Sequence, residues 1–257
     1  MARPVSNKPA RQRLDVLLVE RGLADSRQKA QAMILAGEVE IDGKKSEKAG
    51  LLVAETSRID VHSRLQKYVS RGGFKLEGAL ADFNVSVEGR VCLDVGSSTG
   101  GFTDCLLQSG AARLYAVDVN TDQLAWKLRE DPRVIRVQKN ARELAPSDLA
   151  EGVDLVVIDV SFISVSKVLA AACSCAKENA ELLILVKPQF ELERKDVGKG
   201  GIVREEKLHQ KAIASVREAV ESLGLTVIGS APSRLPGMEG NQEYFLHARR
   251  KGRVKFA

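Results

Sequence analysis

The chain has 257 residues, 44% hydrophobic and 28% charged, enough for one sizeable core and a small satellite domain. It has no run of about 18 apolar residues to span a membrane. Its basic N-terminus, "MARPVSNKPARQR", lacks the apolar stretch of a signal peptide, so a cytosolic protein is expected. The net charge of +5 is uneven: residues 1–75 hold 15 Lys and Arg against 9 Asp and Glu, residues 248–257 are basic, and the middle is acidic. That asymmetry suits a protein gripping a polyanion with its chain ends.

Residues 1–12 read as a flexible basic arm. "RLDVLLVERGL" spaces Leu14, Leu17 and Leu18 as a short amphipathic helix stopped by Gly22. In "ADSRQKAQAMILAGEV", Ser26 is placed to cap a second helix. Ala30, Met33 and Ile34 form its apolar stripe and Gly37 ends it. "VEIDGKKSEKAGLLVAETSRIDVH" reads as short strands with a tight turn at Asp42-Gly43. Arg13, Arg27, Lys29, Lys44 and Lys45 are candidates to meet phosphates on one face. This order of elements resembles the small RNA-binding module named after ribosomal protein S-four. In "LQKYVSRGGFKLEGALADF", Ser70-Arg71-Gly72-Gly73 reads as the join between domains, with Arg71 a further candidate for RNA. The paired glycines would let the module swing or satisfy a turn. A helix is expected from near Gly73–Phe74 to about Phe83.

From Arg90 onward strands and helices alternate. The strand candidates are "RVCLDVG", "ARLYAVDV", "VIRVQ", "VDLVVIDV", "AELLILVKP", "LTVIGSAPS" and "QEYFLHARR". Helices are expected at 101–110, 121–130, 164–178 and 204–223. Near-continuous apolar strands imply a sheet covered on both faces, and alternation implies a doubly wound α/β sheet. The short "SRLPGMEGN" connection suggests a final antiparallel hairpin. That ending resembles the methyltransferase version of the Rossmann-like sheet, so the fold expected is α/β: a Rossmann-like class I methyltransferase sheet of seven strands, with a small N-terminal α+β domain. Four cysteines, Cys92, Cys105, Cys173 and Cys175, match no zinc spacing and are expected as reduced thiols, the last two within a helix. Trp126 is assigned only to packing.

"LDVGSSTGGFTDCLL" is an apolar strand, a glycine loop and a helix start. The candidate cofactor cradle is Gly96, Ser97, Thr99, Gly100, Gly101, Phe102 and Thr103. The spacing is not G-x-G-x-x-G, and Asp94 would repel a pyrophosphate. A carboxylate there suits the amino group and sulfonium of S-adenosylmethionine. Asp118 ends the second strand and suits ribose hydroxyls, and Asn140 the adenine edge. No metal site is expected.

Ligands bind at the carboxyl ends of strands in such sheets, where Asp159 and Lys187 fall. Lys75 precedes the first strand, and Glu243 is expected to start the last. Together they resemble the Lys-Asp-Lys-Glu set of the heat-shock-type and viral-cap-type ribose 2′-O-methyltransferases. That resemblance implies Lys187 as general base and Lys75 steadying the ribose or phosphate, with Asp159 and Glu243 holding the lysines. "IDVSFIS" lacks the motif of an aminomethyltransferase, and no cysteine is placed for base C-methylation. "PQFELERKDVGKGGIVRE", residues 188–205, is a candidate flap or RNA-contacting loop.

"RLDVLLVERGLADSRQKA", "YVSRGGFKLEGAL", "LDVGSSTGGFTDCLL", "LVVIDVSFISV", "LILVKPQFE" and "GNQEYFL" together resemble the TlyA family, also called haemolysin A. The resemblance implies 2′-O-methylation of ribosomal RNA at cytidine, with RNA or ribosomal subunits as partners. The expected organisation is an arm (1–12), an S-four-like RNA-binding domain (13–64), a linker (65–72), an FtsJ-like methyltransferase domain (73–250) and a basic tail (251–257). The alternatives are a ribosome-binding assembly factor with vestigial catalysis, or a haemolysin. For the latter the sequence offers neither a signal nor a pore segment.

Overall fold

The computed structural model of the chain describes residues 11–24, 26–46, 48–61, 67–198, 200–237 and 240–250. It divides into two compact units, residues 1–66 and 67–257. Most of the expected basic arm, the basic tail and linker residues 65 and 66 lie outside the described residues.

The first unit runs β1 (Arg11–Arg13), α1 (Leu14–Glu20), α2 (Arg27–Leu35), β2 (Val39–Ile41), β3 (Lys44–Lys45), β4 (Leu52–Ala54) and β5 (Ile59–Val61). The end of the expected arm is therefore a strand, with β1 antiparallel to β4. Ser26 Oγ accepts from the Lys29 amide at 3.2 Å, which caps α2 as the sequence predicts. Asp42 and Gly43 both have positive φ, 50° and 78°, so β2 and β3 are joined by the hairpin turn that matches strand twist. Leu14 and Leu18 of α1 and Ala30, Met33 and Ile34 of α2 close on Val39 and Val53 as the unit's core.

The second unit runs α3 (Arg71–Asp82), β6 (Val91–Val95), α4 (Gly101–Gln108), β7 (Arg113–Asp118), α5 (Trp126–Arg129), β8 (Val134–Gln138), β9 (Val153–Ile158), α6 (Ser166–Ser174), β10 (Ala176–Val186), α7 (Pro188–Glu191), α8 (Glu206–Ser222), β11 (Leu225–Pro232) and β12 (Tyr244–Arg250). The strand order is β11-β12-β10-β9-β6-β7-β8, with β12 antiparallel to both neighbours. Alternate residues serve opposite faces. Leu93, Val156 and Ile184 join one core with α6 and α8, while Cys92, Leu155 and Leu183 join the other with α3 and α4.

The sheet matches the sequence reading, but several helices differ. α3 begins at Arg71, ahead of the expected start, with the Gly73 amide donating to Ser70 O at 3.2 Å, so the paired glycines serve the turn that opens the helix. They lie in its first turn, where Gly73 packs on buried Tyr68 so closely that a Cβ would sit 2.3 Å from the ring. Residues from Lys67 onward accordingly belong to the second unit. The helix expected at 121–130 is a 3₁₀ turn, Thr121–Gln123, followed by the single turn of α5. Between them Leu124 and Ala125 are extended, which lets the Ala125 amide donate to Thr99 O at 3.2 Å and seats Leu124 and Leu128 beneath Gly100. Trp126 is 69% exposed, so its expected packing role does not hold. Cys173 lies at the end of α6 and Cys175 caps it, rather than both sitting mid-helix. All four cysteines are buried and free. Among the described residues no helix is long and apolar enough to cross a membrane.

Candidate active site

The site is assembled at the carboxyl ends of β6, β7, β9 and β10, where the strand order reverses direction between β6 and β9. Gly96 turns the chain off β6 with φ 88°. Its Cα faces the Asp159 carbonyl, so an added Cβ would lie 2.2 Å from that oxygen. The glycine loop and the end of β9 are thereby held in contact. The loop is tied down by Gly96 and Ser97 amides donating to Val117 O, and by the Gly100 amide donating to Ser97 O.

Asp94 is fully buried. Thr103 Oγ1 donates to its Oδ2 at 2.7 Å, while Oδ1 has no partner among the described residues. Burial, with the neighbouring carboxylates of Asp159 and Asp118, pushes Asp94 up to about 7. Ser97 Oγ is likewise buried without a partner among the described residues. Asp118 accepts from the Ser98 and Asn120 amides at 3.0 and 3.1 Å. Asn140 caps its own turn by accepting from the Arg142 amide. Thr99 is exposed on the loop, and Gly101 is buried against Ser70 and Gly73 of the α3 start. Phe102 faces the core, stacked against Phe245 with centroids 6.1 Å apart. An orphaned carboxylate oxygen and hydroxyl beside a glycine loop fit a small cationic cofactor with hydroxyl groups, as S-adenosylmethionine is.

The four charged residues form two ion pairs, one buried on both sides (Lys75–Glu243) and one with a buried lysine and a partly exposed carboxylate (Lys187–Asp159). Lys187 Nζ lies 2.5 Å from Asp159 Oδ1, and Lys75 Nζ lies 2.5 Å from Glu243 Oε2. The β10–β12 register ends at Val186–Tyr244, so Glu243, one residue before β12 rather than on it, falls beside Lys187 across the ladder. Lys75 reaches the pair from α3, whose first turn rests on α4 at Gly101. Truncating one member of the buried Lys75–Glu243 pair leaves an uncompensated charge, at about 3–5 kcal/mol.

A family model described as FtsJ-like methyltransferase matches residues 68–250, and one described as S4 domain matches residues 12–59. The chain belongs to the FtsJ-like methyltransferase family. The 16S/23S rRNA (cytidine-2′-O)-methyltransferase TlyA of Mycobacterium tuberculosis is 47% identical over 241 residues, covering 93% of this chain and 90% of its own. Hemolysin A of Brachyspira hyodysenteriae is 42% identical over 238 residues, covering 91% of this chain and 98% of its own. A solved structure from Streptococcus thermophilus, provisionally assigned as a hemolysin, superposes with a TM-score of 0.75 at 41% identity, covering 95% of this chain and 90% of that chain. The cofactor of this FtsJ-like methyltransferase is S-adenosylmethionine.

The candidate site also contains residues that the sequence reading missed. Lys187 Nζ donates to Ser161 Oγ at 2.9 Å. Phe162, next in the chain, has φ 67° and is 88% exposed, with Phe190 at 5.5 Å between ring centroids. A bulky residue held at positive φ marks a loop fixed by its surroundings. The fixing group is Glu191, which accepts from the Val165 amide at 2.8 Å and Ser164 Oγ at 2.6 Å and is raised above the usual carboxylate range by burial. "IDVSF" and "KPQFE" carry these residues within four positions of Asp159 and Lys187, the only signal available. The candidate flap is anchored at both ends. Glu191 holds its start. Near its end, Asn241 accepts from the Val203 amide and donates to Gly201 O, each at 2.9 Å.

In the S4 unit, Arg13 and Arg27 are exposed at their heads but ion-paired to buried Asp15. Lys29, Lys44 and Lys45 are exposed. Arg71 belongs to the second unit, where it donates to Pro236 O at 3.1 Å.

Proposed function

We propose that the chain transfers a methyl group from S-adenosylmethionine to a ribose 2′-hydroxyl of ribosomal RNA, at cytidine, with Lys187 as general base. The two lysine–carboxylate pairs beside the glycine loop carry this reading. A ribose hydroxyl is a weak nucleophile whose proton must leave as the methyl arrives. An amine at Lys187, with one N–H direction engaged by Ser161 and the Asp159 carboxylate 2.5 Å away, keeps a further direction for that hydroxyl. Lys75, held by Glu243, supplies a fixed cation for the ribose or the adjacent phosphate. Asp94, Asp118, Ser97 and the Gly96–Gly101 loop would hold the cofactor, which supplies a methyl already activated on a sulfonium. The protein's work is therefore alignment and proton removal. Exposed Phe162, packed against half-buried Phe190 near Lys187, offers an apolar face on which the target base can stack. The relatives' names support ribosomal RNA and cytidine.

The test is methyl-labelled cofactor with unmodified ribosomal subunits, nuclease digestion, and a Lys187→Ala comparison. Label is expected on a cytidine 2′-oxygen, with turnover reduced about 10²–10⁴-fold in the variant and cofactor affinity unchanged. Near-wild-type turnover by Lys187→Ala would remove Lys187 as base. Cofactor binding without label on subunits or naked RNA would point to another substrate or to an assembly role.

A further inference from the structure

Asp15 is 0% exposed and lies in the first turn of α1, the short helix that follows β1. A carboxylate there would ordinarily be a burden on a small core. Here it is saturated. Oδ1 accepts from Arg13 Nε at 2.9 Å. Oδ2 accepts from Arg13 Nη2 at 3.0 Å, Arg27 Nη2 at 3.1 Å and Gln31 Nε2 at 2.8 Å. Those partners come from β1 and α2, so one buried group ties the three elements together. The arginines hold the carboxyl below the usual carboxylate range.

The geometry at Arg13 has a chemical consequence. The bidentate contact engages the Nε–Nη2 edge of the guanidinium and leaves the Nη1–Nη2 edge. That edge is of the kind that takes a phosphate or carboxylate bidentately. Gly50 lies against Arg13, where a Cβ would stand 3.3 Å from Nη1, so the fork is seated between Asp15 and that backbone. Among the described residues Arg27 is held through Nη2, leaving Nε and Nη1 for another partner. Both heads remain about half exposed.

We propose that Asp15 is a positioning residue for RNA binding: it fixes the guanidinium forks of Arg13 and Arg27 so that their outer edges receive backbone phosphates. This rests on the reading that the S4 unit binds the RNA substrate. It differs from simple charge attraction in sign, because Asp15→Asn makes the unit more positive yet is expected to bind RNA more weakly.

The experiment uses the full chain and an in vitro transcript of ribosomal RNA, with affinity measured over a salt series. Thermal unfolding and cofactor affinity report on the integrity of each variant. Asp15→Asn and Arg13→Lys are each expected to lose about tenfold in RNA affinity with cofactor affinity unchanged, since a point charge does not replace an oriented fork. Folded Asp15→Asn that binds RNA as tightly as wild type overturns the proposal. Should Asp15→Asn unfold the unit, Arg13→Lys decides: affinity within about twofold of wild type means charge alone suffices, and the proposal fails. Arg13→Ala and Arg27→Ala test the underlying reading separately. If both leave RNA affinity and its salt slope unchanged, these arginines do not contact RNA at all.

Discussion

Under the proposed function Asp94 answers two demands, a dry strand end and a cationic cofactor. In the unfolded chain its carboxyl titrates near the ordinary value of about 3.9, whereas burial raises it to about 7 in the fold. Between those values the folded protein holds a proton that the unfolded chain has released. The contribution of Asp94 to stability is therefore full below about pH 4 and is lost as pH rises through 7. A cation beside it favours the ionised form, so cofactor binding in that window is expected to release a proton and to tighten as pH rises toward 8. Calorimetry at pH 6.5 in buffers of different ionisation enthalpy should detect the release in wild type and not in Asp94→Asn. An affinity flat across this range would mean Asp94 does not face the cofactor. At this scale Asp94, Asp118, Asp159 and Lys187 are legible in the sequence because charged groups at the ends of apolar strands have little other reason to be there. Ser161 and Glu191 are not, since a serine or glutamate one turn away looks like ordinary surface until the backbone folds it back.

α3 carries Lys75 to the site, and its approach to the neighbouring chain is set by glycine. Gly→Ala inside an exposed helix stabilises by about 0.8–1.0 kcal/mol through propensity alone. At Gly73 the sign should invert, because a Cβ would lie 2.3–2.6 Å from atoms of Tyr68, which is itself buried under α3. Overpacking of this kind costs about 1–3 kcal/mol. Gly73→Ala is thus expected to lower the denaturant midpoint of the second unit and to reduce methyl transfer through displacement of Lys75, with cofactor affinity nearly unchanged. A midpoint equal to or above wild type would show that Tyr68 yields freely. The same glycines explain why the start of α3 is hidden in the sequence: two adjacent glycines look like a break when tertiary packing is out of view. The strands of the large sheet are legible because they are continuous apolar runs. β10 reaches back further than expected, to Ala176, because a register shift between Ala176 and Glu181 admits the polar "KEN" segment, with Asn179 at φ 63°. The expected 121–130 helix is broken by a demand absent from its own sequence, the Thr99–Ala125 hydrogen bond to the glycine loop.

Each of the two units has its own hydrophobic core, and among the described residues the cores on both faces of the second unit's sheet are built from residues of that unit. Cofactor and RNA should therefore separate as binding problems. A chain trimmed to residues 67–257 keeps Lys75, Asp94, Asp118, Asp159, Lys187 and Glu243. It omits Arg13, Arg27, Lys29, Lys44 and Lys45. It is expected to fold and to bind S-adenosylmethionine with wild-type affinity, while methyl transfer falls chiefly through a higher KM for RNA. For every phosphate that the trimmed chain no longer neutralises, the slope of log affinity against log salt should flatten by about 0.9 on duplex-like RNA, which a purely steric role for the first unit would leave unmoved. If the trimmed chain keeps both its KM for RNA and its salt slope, the second unit must supply the cations that meet the phosphates. Exposed Arg71, on the α3 that carries Lys75, would then be the first cation to replace, because it alone among the candidate RNA-binding residues stays with the methyltransferase core.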